Sequence, residues 1–183
     1  MELTINTSLS ASTTRQTLYI LVDSENLQHV QDTYKISDLN ALIEATQFKA
    51  SFNETLPLIG KLPEVVQCTL LGLDKASEIQ ASKLAKIAQT IIKASQKKHA
   101  SISIDISALP SELHYLFALS LTQAAYSYDE YKSKKNGFSL ENIEFIASTT
   151  TLSNEQLGLV KAVQSGQNYS RDLVNCQPNI CYS

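Results

Sequence analysis

The sequence is short of cysteine, glycine and proline, and it contains no long apolar run. Its three cysteines, Cys68, Cys176 and Cys181, are too few and odd in number for a disulfide framework, so a reducing cytoplasm fits best. No run approaches the ~18 apolar residues of a membrane span. Residues 1–15 are polar and lack the apolar core of a signal peptide. These absences argue against export and against a membrane protein.

Charge is also modest in amount. A net charge of -3, with 18% charged and 43% hydrophobic residues over 183 residues, is ordinary for one globular chain with a proper core. This balance does not indicate a nucleic-acid binder. Lysine is unevenly placed, however, because Lys75 to His99 contains six lysines and Glu78 as its single acid.

With five glycines and four prolines, the chain can form long uninterrupted elements. Apolar runs and period-two alternation predict strands, at Leu18 to Val22, Val65 to Leu73, Ser101 to Ile106 and Asn142 to Ala147. Asn53 to Glu64 reads as a loop or an edge strand, since it contains Pro57, Gly60 and Pro63. Helical spacing predicts four helices: Ile36 to Phe48 capped by Ser37, Ser77 to Lys98, Pro110 or Ser111 to Tyr131, and a last one capped by Ser153 or Asn154.

The central strand, helix and strand predict a right-handed crossover between parallel strands. We therefore expect an α/β fold: a mixed, mostly parallel sheet flanked by helices in three layers, similar in shape to macro domains. Residues 1–150 would form this domain, and residues 151–183 would form a connecting helix and the start of a further segment.

Two of the predicted helices carry apolar faces that need covering. The helix that ends near Tyr131 has a main stripe of Leu113, Leu116, Phe117, Leu121, Ala124 and Tyr128. A second stripe of Tyr115, Leu119 and Tyr126 lies opposite, so we expect it to meet a neighbouring helix, domain or subunit. The last helix has Leu159, Val163, Gly166, Ser170 and Leu173 on one side, where another element could approach closely.

Catalytic and metal sites find little support in the residues. His29, His99 and His114 are far apart and fit no zinc-binding spacing. Cys176 and Cys181 have no second pair of ligands nearby, and no nucleophile motif is present. The carboxylate pairs Asp129-Glu130 and Glu141-Glu144 fall where capping or solvated roles are common. We therefore predict no catalytic, cofactor-binding or metal-binding residue in this chain.

Phosphate or nucleic-acid binding is the remaining local possibility. The turn after Leu71 offers only Gly72 before Leu73, Asp74 and Lys75, so Gly72 is expected to permit close packing or an unusual backbone angle rather than to cradle phosphate. Lys83, Lys86, Lys93 and Lys97 share about a quarter of one helix surface, and Lys132, Lys134 and Lys135 form a second basic group. This lysine stripe could bind DNA, but an ordinary solvated helix face is the favoured explanation, given the net charge of -3.

Three segments together indicate a family. Read in order, TLLGLDK (Thr69 to Lys75), AYSYDEYKSKK (Ala125 to Lys135) and SRDLVNCQPN (Ser170 to Asn179) resemble the amino-terminal, non-catalytic domain and connecting helix of the leucyl (cytosol) aminopeptidases. The second segment is the most specific of the three. Its Tyr128 and Tyr131 are interpreted as structural anchors and not as catalytic groups.

The resemblance implies a parent enzyme that removes N-terminal residues, often leucine, from peptides. Such enzymes are typically cytoplasmic homohexamers, and two divalent metal ions, zinc or manganese, sit in their catalytic domain. The family's N-T-D-A-E-G-R segment and its metal-binding lysine would lie beyond Ser183, and the helix that runs into Pro178 reads as the end of a fragment. The chain alone is therefore expected to be inactive. Its expected partner is the catalytic domain of the same parent enzyme.

Overall fold

The computed structural model describes residues 4–8, 15–25, 27–62, 65–128, 139–147 and 152–176. Six strands lie in one sheet: β1 Thr4–Ser8, β2 Arg15–Val22, β3 Thr55–Leu62, β4 Val65–Gly72, β5 Ser101–Asp105 and β6 Asn142–Ile146. Five α-helices accompany them: α1 Leu27–Tyr34, α2 Leu39–Thr46, α3 Ala81–Ser95, α4 His114–Ala124 and α5 Asn154–Asn175. Two single-turn 3-10 helices, Ala76–Glu78 and Ser111–Leu113, precede α3 and α4.

The sheet has the order β1-β6-β5-β2-β4-β3. Every neighbouring pair is parallel except β3 and β4, which pair antiparallel. β4 and β5 both run parallel to β2, which lies between them, so the β4–α3–β5 unit crosses over one strand. The predicted mixed, mostly parallel α/β sheet is confirmed.

Helices cover the two faces of the sheet. On the first face, Tyr19 and Leu21 of β2 pack in a cluster with buried residues of α3, α4 and α5. On the second face, Leu18, Ile20 and Val22 pack with buried residues of α1 and α2. Because β2 is buried on both faces, it reads as a continuous apolar run in the sequence, as parallel strands usually do.

Several predicted helix ends are wrong. The helix predicted from Ile36 begins at Leu39, and Ser37 does not cap it: Asp38 is the N-cap, in the left-handed region with φ 67°, and makes no side-chain cap hydrogen bond. The helix predicted over residues 77–98 is a 3-10 turn followed by α3. At the last helix, Ser153 is the cap and forms a capping box with Gln156, as predicted.

α4 ends at Ala124 instead of Tyr131, which itself lies outside the described residues. At this end, Arg171 Nη1 of α5 donates a hydrogen bond to the Gln123 carbonyl at 3.2 Å. That carbonyl has no partner within the helix, so a cation from another helix satisfies it. Leu116 was expected in the buried stripe but is 39% exposed, and the buried side of α4 includes Ala118 and Thr122 instead.

The segment around Pro57 is an edge strand, one of the two structures expected for it. β3 pairs with β4 on one side only, where a proline is tolerated. Its register with β4 shifts between Ile59 and Leu62, and Gly60 adopts φ 67° within that irregular stretch. Glycine accommodates this left-handed angle without a steric cost.

Candidate functional site

The two histidines whose side chains the structure describes, His99 and His114, make separate contacts. His99 Nδ1 lies 3.2 Å from the Thr17 hydroxyl, and His114 is buried, with Nε2 donating to the Leu109 carbonyl at 3.0 Å. His29 belongs to α1. Among the described residues, no three His, Cys, Asp or Glu side chains converge as metal ligands would. The side chains of His99 and His114 are therefore engaged in hydrogen bonds within the fold.

The two cysteines that the structure describes, Cys68 and Cys176, lie in different surroundings. Cys68 is fully buried in the cluster on the second face of the sheet. Burial, and then the charge of Asp105, raises the pKa of this thiol to about 12. A nucleophilic cysteine needs a lowered pKa, so Cys68 has the opposite environment. Cys176 follows α5 directly, and Cys181 lies outside the described residues.

The carboxylate pairs are not arranged as a catalytic pair within the described residues. Glu144 of β6 accepts a hydrogen bond from the Ser103 hydroxyl of β5 at 2.8 Å, whereas Glu141 is exposed just before the strand. This bond joins two neighbouring strands, which is a structural role. Asp129 and Glu130 lie outside the described residues.

The turn after β4 is filled by the protein's own groups. A Cβ on Gly72 would overlap the carbonyl oxygen of Ser51 and lie 2.5 Å from the carbonyl oxygen of Ala50. Gly72 therefore permits a close backbone approach, one of the two roles expected for it. At the following 3-10 turn, Asp23 Oδ2 accepts a hydrogen bond from the Ala76 amide at 2.9 Å. The Asp23 carboxylate thus satisfies a free amide of this turn.

The lysine stripe is partly a packing feature. The Lys83 ammonium lies 5.3 Å from the centre of the Phe52 ring, in cation–π contact. Lys86 and Lys93 are exposed on α3, and Lys97 lies in the turn after the helix ends. Lys132, Lys134 and Lys135 lie outside the described residues. The four lysines were predicted to lie along one helix, but Lys97 follows the end of α3, so three of them lie on the helix.

Residues of two of the three recognised segments meet at the ends of α4 and α5. The Tyr126 hydroxyl donates to Asp172 Oδ1 at 2.8 Å and accepts from Asn175 Nδ2 at 3.1 Å. The Arg171 guanidinium lies 5.1 Å from the centre of the Tyr126 ring while it also donates to Gln123. We name these five residues the α4–α5 clasp. It brings Tyr126 of the second segment together with the Arg171-Asp172 pair, which begins 45 residues later in the sequence.

The clasp also covers part of the second stripe of α4. Tyr115 and Leu119 are partly buried against the cluster on the first face, and Tyr126 contacts α5. α5 therefore covers this side of α4. A neighbouring helix was one of the partners predicted for the second stripe. Tyr128, from the main stripe, is partly buried after the helix has ended.

α5 packs on the core through the side opposite to the one on which close approach by another element was predicted. The residues that turn inward are Leu157, Val160 and Gln164. The predicted contact side faces outward: Leu159 is 50% exposed, Leu173 51%, and a Cβ on Gly166 would meet nothing within 4 Å. We name this side the outer face of α5, with members Leu159, Val163, Gly166, Tyr169, Ser170, Leu173 and Val174. Tyr169 and Val174 are 66% and 86% exposed, which is unusual for large apolar side chains clustered on one helix.

Comparison with protein families gives one match over most of the chain. The family model described as "Cytosol aminopeptidase family, N-terminal domain" matches residues 21–135. A probable cytosol aminopeptidase of Acinetobacter baumannii is 58% identical over 182 residues, and one of Acinetobacter baylyi is 46% identical over the same length. Each match spans 100% of this chain but only 38% of the relative. The DNA-binding alternative finds no support in these relatives.

Solved structures give the same fold at low sequence identity. A mutant of tomato leucine aminopeptidase matches 98% of this chain and 39% of its own chain, with a TM-score of 0.76 and 16% identity. The bottromycin maturation enzyme BotP in complex with Mn matches 89% of this chain and 32% of its own, with a TM-score of 0.63 and 16% identity. None of the described helices has the length and apolar character that a membrane span needs.

Proposed function

Because this chain belongs to the cytosol aminopeptidase family, whose N-terminal domain it matches, we propose that it is the architectural domain of a peptide-cleaving enzyme. In this proposal the domain docks on the catalytic domain through the outer face of α5. The observation that carries the proposal is the exposure of Tyr169 and Val174 on that face, at 66% and 86%.

The length of the relatives supports this assignment. The chain spans 38% of the curated relatives that it matches, so most of their length lies outside the matched region. An apolar helix face of this kind gains free energy when another surface removes it from water. α5 includes the start of the SRDLVNCQPN segment. The family resemblance assigns this segment to the connection between the two domains, so the outer face of α5 lies on the connecting helix.

The proposed parent reaction is the release of N-terminal residues, leucine among them, from peptides. Two divalent metal ions, manganese or zinc, would supply Lewis-acid chemistry in the catalytic domain. A manganese complex of BotP among the structural neighbours supports metal dependence of the parent. The described residues of this chain do not fit such a centre, because no three potential ligands converge in them. No catalytic step is therefore assigned to this chain.

Further properties of the parent are proposed from the family resemblance. They are a cytoplasmic location, peptide substrates and assembly into a homohexamer. The division into an α/β domain at residues 1–150 and a connecting segment at residues 151–183 is part of the same proposal. We expect α5 to form part of both the α/β domain and the connecting segment, because its inner face packs in the core and its outer face is exposed.

Binding in trans tests the docking proposal. The chain would be mixed with a separately produced catalytic domain of the Acinetobacter baumannii relative, and binding would be followed by calorimetry. We expect a complex, and we expect Tyr169→Asp with Val174→Asp to weaken it about tenfold or more, because a charge would then be buried in an apolar contact. The chain alone, supplied with Mn²⁺, should not hydrolyse leucine anilide.

A control on the same helix separates docking from folding. Lys161→Asp with Ser165→Asp places two acids at exposed positions outside the outer face of α5 and should leave the affinity unchanged. Equal affinity for the wild type and the Tyr169/Val174 variant would refute docking through this face. Turnover of leucine anilide by the chain alone would refute the non-catalytic assignment.

A further inference from the structure

The two halves of α5 are held to the rest of the chain in different ways. The buried residues of this helix, Val160 and Gln164, both lie in its first half. Leu157, in the same half, packs against the cluster on the first face of the sheet. From residue 165 to residue 175, every position of α5 is half-buried or exposed. The core therefore holds the first half of the helix and leaves the second half outside.

The second half of α5 is also a weak helix by its own composition. Residues 165–175 read SGQNYSRDLVN, and most of these residue types have low helix propensity. An isolated helix shorter than about 12–15 residues is marginal in water even when its residues are favourable. Asp172 also places a negative charge in the last turn, where it opposes the helix dipole, and no basic residue lies in that turn. A contact from outside the helix is therefore needed to keep these turns helical.

The α4–α5 clasp supplies this contact. The Tyr126 hydroxyl donates to Asp172 Oδ1 at 2.8 Å and accepts from Asn175 Nδ2 at 3.1 Å. Asp172 and Asn175 are three positions apart, so they lie on the same side of the helix only while the last turn is helical. Arg171 adds its contact with the Tyr126 ring and its bond to the Gln123 carbonyl. One tyrosine outside α5 thus meets three residues of its last two turns.

The same turns carry most of the outer face of α5. Tyr169, Leu173 and Val174 belong to the second half of the helix, whereas Leu159 belongs to the first. If these turns frayed, a binding partner would have to order them, and the lost conformational entropy would weaken binding. We infer that the clasp holds the outer face of α5 in its docking shape before the catalytic domain binds, with Tyr126 as the positioning residue. This inference rests on the docking function proposed above.

Amide hydrogen exchange tests the ordering on the chain as it is. Tyr126→Phe removes the hydroxyl and keeps the aromatic ring. The Cys176 amide donates to the Asp172 carbonyl at 2.8 Å. In the variant this amide should exchange about fivefold to tenfold faster than in the wild type, because the hydrogen bonds that hold the last turn are lost. The Val160 amide, in the half of α5 that the core holds, should exchange at an unchanged rate.

Binding measurements test whether docking depends on this order. The dissociation constant for the separately produced catalytic domain of the Acinetobacter baumannii relative should rise about threefold to tenfold in Tyr126→Phe, since binding must then order the last turns. Tyr115→Phe is the matched control. It removes a hydroxyl from α4, where the ring packs against the cluster on the first face, and it leaves the clasp intact. Both the exchange of the Cys176 amide and the affinity should match the wild type.

A rescue variant separates ordering from direct contact. Ser165 is exposed and belongs neither to the clasp nor to the outer face of α5. Alanine has the highest helix propensity, so Ser165→Ala should slow the exchange of the Cys176 amide in Tyr126→Phe and recover part of the lost affinity. If Tyr126 acted only by touching the catalytic domain, a change at Ser165 would restore nothing, and the inference would be wrong.

The outcomes distinguish this inference from the docking proposal. Unchanged exchange of the Cys176 amide in Tyr126→Phe would overturn the inference. Faster exchange with unchanged affinity would also overturn it, while docking through the outer face of α5 would stand. A wild-type chain that does not bind the catalytic domain would overturn the docking proposal itself, and this inference with it.

Discussion

Gly72 shows how one missing side chain allows two parts of the backbone to meet. A Cβ at this position would collide with the backbone of Ala50 and Ser51, which cannot yield as a flexible side chain would. The Gly72 amide also donates to the Glu54 carbonyl at 2.8 Å, which holds the approach in place. The glycine of the LLGLDK segment is therefore explained by packing.

We predict that Gly72→Ala destabilises the chain by about 3 kcal/mol, as overpacking of a rigid site does, and lowers its melting temperature by roughly 6–12 °C. Gly158→Ala is the matched control. A Cβ at Gly158 meets nothing within 4 Å inside α5, so this change should stabilise the chain by about 0.5–1 kcal/mol. Equal stability of the two variants in urea unfolding would contradict the packing explanation.

His99 gives the chain a pH dependence of known sign. Burial, and then the charge of Lys98, lowers the pKa of His99 below 6.5. Above 6.5 the imidazole is neutral in both the folded and the unfolded chain, so it contributes nothing. As the pH falls through 6.5, the unfolded chain binds the proton first, and stability decreases until folded His99 is protonated as well.

His99→Gln should therefore lose less stability than the wild type between about pH 7.5 and about pH 5.5. Urea unfolding at the two pH values measures the difference, and the variant serves as its own reference at the higher pH. An identical loss of stability in both proteins would mean that His99 is not the responsible group.

At the scale of elements, the α4–α5 clasp ties the end of one helix to another. Arg171 covers the Tyr126 ring and binds the Gln123 carbonyl at the same time. A guanidinium can do both because it is planar and holds its donors in a fixed fork, whereas an ammonium is a compact point charge. The end of α4 is thus held by a residue of α5 and not by a local capping motif.

We predict that Arg171→Lys frays the last turn of α4 and costs about 0.5–1 kcal/mol, since the cation–π contact and the carbonyl bond cannot both be kept. Hydrogen exchange of the Ala125 amide, which donates to Leu121 at 3.0 Å, would report the fraying. Lys161→Ala, a change at an exposed position of the same helix, should leave this amide protected. Unchanged exchange in Arg171→Lys would show that the clasp does not hold this end.

For the molecule as a whole, burial on both sides of a strand made the centre of the sheet predictable. β2 shows it in the run LYILV, because a parallel strand that is buried on both faces is apolar along its length. β5 was predicted instead from the alternation of Ile102 and Ile104 in SISID. α1 escaped prediction because its sequence, LQHVQDTY, offers too few apolar positions for a helical period.

Long-range contacts could not be predicted in the same way. Both sides of α5 carry apolar residues, so its period alone does not tell the inner face from the outer one. Tyr34 meets Asp105 across 71 positions of sequence, and Tyr126 meets Asp172 across 46. Such pairs depend on how helices and strands pack together, and no local sequence pattern predicts them.

The edge strand β3 limits how copies of this domain can associate. Pro57 has no amide hydrogen to offer, and the irregular stretch around Gly60 bends the strand away from a regular ladder. Another strand therefore finds a poor template here, and the sheet is protected from growing into a continuous, fibre-like stack. Copies of the domain that associate near β3 must therefore do so through side-chain contacts. Contacts of this kind can form closed assemblies of defined size.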